Sequence, residues 1–190
     1  MPLITGETMR LVSVSLGLAL VLSTSAVAQT ATSTPTEAFV HAVTQVCAQN
    51  AFGDLPLTPS AALDAAGVML IDGGTDPDVR GAFHDMPVTI DYGAVASSSG
   101  QIVIGADEAG SCRVAAINVA PSDVAAIQAA FAANSDGWNP IANDPDKGET
   151  TYTGPIGSET GMVAVLVPPA GSHWGKAGIL FTVMNPAAGG

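Results

Sequence analysis

Basic side chains are scarce in this chain. Lys and Arg number 5 against 17 Asp and Glu, for a net charge of -12. A nucleic-acid surface needs a basic footprint, so no nucleic-acid partner is expected. Charge of either sign is thin, at 12% of residues, while apolar residues reach 47%. Disorder needs the reverse balance, so the chain is expected to fold. The 2 cysteines are too few for a disulfide-dense scaffold or an all-cysteine zinc site. No histidines stand in H-x-x-x-H spacing, and no G-x-S-x-G elbow occurs. Only Leu11–Leu22 is a long uncharged apolar run, and at about a dozen residues it falls short of the roughly 20 that span a bilayer.

What that run does carry is a targeting pattern. Arg10 precedes it, and Ala26-Val27-Ala28 follows as an A-x-A cleavage site. Positive, apolar and small, in that order, is a secretory signal. Residues 1–28 are therefore expected to be a cleaved signal peptide and the protein to be periplasmic or secreted, with no stable membrane insertion after cleavage. Cleavage leaves Gln29–Gly190, a length at which a domain buries about 70% of its unfolded surface. The composition is similar to that of small exported proteins of Gram-negative bacteria, and no motif ties it to a family.

The two cysteines, Cys47 and Cys112, suit an oxidising compartment and are expected to pair. Closing a loop that long is worth about 4 kcal/mol in the chain-entropy account.

Along the remaining chain, residues 29–33 read as a flexible arm, 34–186 as one domain and 187–190 as a flexible tail. Thr34-Pro35-Thr36-Glu37 is a capping box with Pro at the first helical position. Phe39, Val43, Val46 and Cys47 then recur at helical spacing, so Cys47 sits on a buried face. Thr58-Pro59-Ser60 opens a short helix that Gly67 stops. Val68–Ile71 and Pro87–Tyr92 read as strands. Gln101–Ala106 and Ser111–Val119 form a hairpin across a four-residue connection ending in Gly110. Ser122 is expected to cap a helix whose stripe is Val124, Ile127 and Phe131. Residues 138–161 read as a long loop with a short strand at Thr150–Thr153, and Met162–Val167 and Ala177–Met184 as two further strands. The sum is an α+β domain: a mostly antiparallel sheet of five or six strands, two main helices packed on it, and one disulfide.

Candidate chemistry is sparse. Gly171-Ser-His-Trp-Gly175-Lys176-Ala177 is one residue short of a phosphate loop and lacks its Ser or Thr. His84-Asp85-Met86 offers a His–Met pair for copper, although strand methionines are ordinarily core filler. Asp72, Asp76 and Asp78, with Asp144 and Asp146, make two acidic loops with the chemistry of weak calcium sites but not the EF-hand spacing. Ser158 or Ser172 with His84 or His173 are the actors a non-local Ser/His site would use. Trp138 and Trp174 lie in polar, glycine-rich segments, where an aromatic ring is a recognition anchor. With His173 and Lys176 they mark the expected interaction surface.

No catalytic residue, metal ligand or cofactor is assigned. The expectation is a monomeric, non-enzymatic binding or interaction module with a protein or small-molecule partner. A periplasmic hydrolase-like enzyme with a non-local Ser/His site is the first alternative, and weak calcium binding through the acidic loops is the second.

Overall fold

A computed structural model describes residues 32–187 except 54, 87–89, 108 and 157. The signal segment and the start of the Pro87–Tyr92 strand lie outside the described residues.

The first helical run joins α1 (Pro35–His41), a π-helical segment (Ala42–Cys47) and α2 (Ala48–Ala51). Its start is the capping box the sequence predicts. The Glu37 N–H donates to the Thr34 hydroxyl at 3.2 Å, and the Thr34 N–H donates to the Glu37 carboxylate at 2.9 Å. Then follow α3 (Ala61–Ala65), β1 (Val68–Leu70), α4 (Pro77–Ala82), β2 (Asp91–Val95), β3 (Gln101–Ala106), β4 (Ser111–Ile117) and α5 (Pro121–Ala133). The chain ends with β5 (Asn139–Asp144), β6 (Glu149–Ile156), β7 (Glu159–Leu166) and β8 (Ala177–Met184).

The eight strands among the described residues form one antiparallel sheet in the order β1-β2-β3-β4-β8-β7-β6-β5. The α+β architecture, the two main helical stretches and the disulfide agree with the sequence; the strand number, expected at five or six, does not. Much of the 138–161 loop is in fact the β5–β6 hairpin and the start of β7. Its Asn, Pro and Gly content disguised it. At a sheet edge, backbone pairing holds a strand whose side chains face water and carry no apolar signal. Two smaller differences concern helix starts. Asp76 caps α4 by accepting from the N–H groups of Asp78 and Val79, in a stretch that read as loop. Ala120, not Ser122, is the N-cap of α5, because Pro121 occupies the first helical position and the Asp123 carboxylate accepts from the Ala120 N–H.

Read outward from its middle, the strand order is two four-strand meanders, β1–β4 and β5–β8, meeting at the β4–β8 pair. Alternation along β3, β4 and β8 sends side chains to two different cores. Ile102, Ile104, Cys112, Val114, Ile179 and Phe181 face the Pro35–Ala51 run and α5. Val103, Ala115, Ile117 and Leu180 face α4 and Phe83 on the other side. Cys47 bonds Cys112 with their Cα atoms 5.2 Å apart, fastening the helical run to β4 in the middle of the larger core.

Candidate functional site

Two regions hold the sequence-predicted residues, one on each face of the sheet. Trp138 and Trp174, expected to share one surface, pack against different cores.

On the helix-covered face a groove of about 340 Å³ opens between the Pro35–Ala51 run, α5 and strands β6–β8. Phe39, Phe131, Trp138 and Phe181 line it, with Val43 and Ile156 among the aliphatic residues. Phe131 is the hub: its ring stands edge-on to Phe181 at 5.0 Å and to Tyr152 at 5.3 Å, and lies 6.3 Å from Trp138. Trp138 rests flat on β6 because residue 154 is glycine; a Cβ there would stand 2.4 Å from the indole ring. Val43 and Thr44, on the π-helical segment, form part of the wall. Such wide turns recur at functional sites. Among the described residues no charged side chain lines the groove, and the polar side chains that do are Thr44 and Asn134. Both already donate to backbone carbonyls, of Val40 at 2.9 Å and Ala130 at 2.8 Å.

The opposite face carries a polar cluster around Arg113, which is only 8% exposed although it sits in the apolar β4. Its side chain meets Thr182 directly across the β4–β8 pair, donating from Nε to the Thr182 hydroxyl at 2.8 Å. Nη1 donates to the Ala82 carbonyl at the end of α4, and both terminal nitrogens reach the Asp85 carboxylate. Burial is the largest single influence on Asp85 and raises its pKa. The Arg113 hydrogen bonds and charge together outweigh it, holding the carboxyl below its ordinary 3.8.

Trp174 covers the arginine, with the guanidinium carbon 5.4 Å from the ring centre. The loop carrying Trp174 reaches α4 through two glycines: a Cβ on Gly81 would stand 2.9 Å from the Gly175 backbone, and Gly175 has φ +63. Lys176 clips the same loop to α4 by pairing with Asp78 at 3.1 Å. His173 stacks on Trp174 at 5.3 Å, and His84 stands edge-on to both rings, 4.3 Å from each. Of the predicted residues, His84, His173 and Trp174 thus converge and Lys176 braces them, while Trp138 belongs to the groove. Arg113 was missed. Its signal was a lone cation in an apolar strand, which must find partners when buried.

Several other polar side chains make local contacts. His41 Nε2 bonds the Ala66 carbonyl at 2.8 Å, and Asp144 pairs with Lys147 at 2.9 Å. Ser158 donates to Glu159, and no serine bonds a histidine among the described residues. Nor do three His, Cys, Asp or Glu side chains converge as metal ligands among them. Likewise, no helix of the described residues is long and apolar enough to cross a membrane.

No protein-family model, curated protein or solved structure matches the chain.

Proposed function

We propose that the protein is an exported, non-enzymatic binding protein that holds a small, uncharged, largely aromatic molecule in the groove beside α5. The observation that carries this reading is the groove itself: about 340 Å³, walled by four aromatic rings and, among the described residues, by no charged side chain. That volume is within the range of small-molecule sites. Aromatic walls favour a flat ring that can meet them edge-on or offset. A charged ligand would lose its hydration there without gaining a partner. Anions face the further opposition of a chain at -12. Export is supported by the signal pattern in residues 1–28 and by the Cys47–Cys112 bond, which suits the periplasm or the exterior.

The test uses Trp174→Phe, which leaves Trp138 as the sole indole. Titration with an uncharged aromatic probe, N-phenyl-1-naphthylamine, is expected to give a saturable one-to-one change in Trp138 emission with enhanced probe fluorescence. Ala130→Phe, which fills the groove, is expected to abolish both while keeping the circular dichroism spectrum. Binding that survives Ala130→Phe, or a response that never saturates, would remove the groove as the site.

A further inference from the structure

The strand order leaves β1 and β5 as the two edges of the sheet among the described residues. An edge strand offers unpaired backbone groups to any chain that can add to it. The two edges meet that exposure differently. β5 carries Pro140, which has no N–H to offer, and its register with β6 shifts between Pro140 and Ala142. Proline and a bulge are ordinary guards against strand addition. β1 is Val68-Met69-Leu70, with no proline, no charge and no shift in its register with β2. Met69 and Leu70 are 62% and 40% exposed on it. We infer that β1 is an open edge that receives an extended, basic peptide segment of a partner protein as an added strand.

The register says which backbone groups are on offer. Leu70 stands opposite Gly93, and one step further on the Ile71 N–H donates to the Tyr92 carbonyl at 3.1 Å. Bonding alternates along an antiparallel pair, so Met69 bonds across to β2, while the N–H and C=O of Val68 and Leu70 point away from it. Beyond the sheet, no backbone partner takes up those groups among the described residues. An incoming strand would pair with them as the strands of the sheet pair with one another. β1 is short, so backbone pairing alone gives few bonds, and selectivity falls to side chains.

The side-chain contribution lies where β1 ends. A hollow of about 380 Å³ opens there beside Leu70, Ile71 and Tyr92. Among the described residues, the charged side chains lining it are Asp72 and Asp91, and neither is in an ion pair. A strand continued past Leu70 passes this hollow, and a Lys or Arg on it would meet both carboxylates. Apolar positions alternating with the base would cover Met69 and Leu70. Backbone pairing then supplies affinity and the acidic hollow supplies the choice of partner. A second copy of the chain fits worse. Two chains at -12 repel, and β1 has no base to place in the hollow.

The experiment is amide hydrogen exchange, followed by NMR, on the Gln29–Gly190 protein with the blocked peptide Thr-Val-Lys-Val-Lys-Val-Thr. Without peptide, the Val68 and Leu70 amides should exchange at least about tenfold faster than those of Met69 and Ile71. Millimolar peptide should protect both, saturably, and less so at high salt. The counterpart with Glu in place of Lys should bind at least about tenfold more weakly. Asp72→Asn/Asp91→Asn should abolish that preference. Should this variant melt early, a peptide N-methylated at alternate residues, which cannot pair with the edge, is used on the parent and should leave both amides unprotected. Amides of Val68 and Leu70 already protected in the free protein would overturn the proposal, because the edge would then be covered; with a dimer in solution, the cover would be a second copy. No protection at millimolar peptide, or equal binding of the Lys and Glu peptides, would overturn it as well.

Discussion

On one face of the sheet, β3, β4 and β8 press Ile102, Ile104, Val114, Ile179 and Phe181 against two helical stretches. On the other face, one residue out of phase, the same strands present Gly105, Arg113 and Thr182 to a six-residue helix and two loops. Cohesion on the first face scales with apolar area and tolerates an unfilled groove at the edge of the core. The second face has a smaller apolar core of Val103, Ala115, Ile117 and Leu180, and around Arg113 its cohesion is directional, because a nearly buried guanidinium must satisfy its donors one by one. The comparison teaches where each kind of chemistry can arise: an apolar cavity where packing is generous, a polar cluster where a buried charge has drawn partners together.

The largest expected effect falls on the helix-covered face. Replacing both Cys47 and Cys112 by Ser should cost about 4 kcal/mol in urea unfolding, since the bridge closes a loop spanning 65 residues. A loss below about 1 kcal/mol would mean that the apolar core alone holds the helical run. On the opposite face, Arg113→Met should cost about 2 kcal/mol, the worth of its charged hydrogen bonds. The figure is kept low because the Asp85 side chain is 46% exposed and water screens the pair. The same variant should free the 172–176 loop, read as faster amide exchange at Trp174 with none at Trp138; equal changes at both would dissolve the distinction between the faces. Gly154→Ala should cost about 1–2 kcal/mol by lifting Trp138 off β6, and should shift indole emission to longer wavelength. Thr34→Ala removes half of the capping box and should cost about 1 kcal/mol on the helix-covered face only.

The smallest effect is one of pH. Asp85 has a folded pKa held below 3.8, so its pairing stabilises the protein fully above that value and is lost as pH falls below it. Asp85→Asn should flatten that part of the acid limb. An unchanged limb would show that the pair contributes nothing to stability.

Much of the fold was legible because its signals are local. Thr34 and Glu37 announce a helix start, and Gly110 a hairpin, within a few residues. Phe39, Val43, Val46 and Cys47 repeat at helical spacing, and all but Val43 are buried. The edge hairpin was not legible, because β5 pairs through its backbone while Asn139, Pro140 and Asn143 look like loop. Nor was the separation of the two tryptophans. Trp138 and Trp174 occupy similar polar, glycine-rich contexts, and nothing nearby in sequence says which face each will cover.

What the sequence by itself determined, then, is the folding class, the capping box of the first helix, the central strands, the partners of the one disulfide and the excess of acidic charge. These follow from periodicity, capping chemistry and counting. Tertiary structure alone decided that Phe39, Phe131, Trp138 and Phe181 would wall one groove, and that His84 and His173 would meet. Alternation tells which residues of a strand share a face. It is the antiparallel β4–β8 pairing, with the close approach of Gly81 to Gly175, that brings two distant loops together over Arg113.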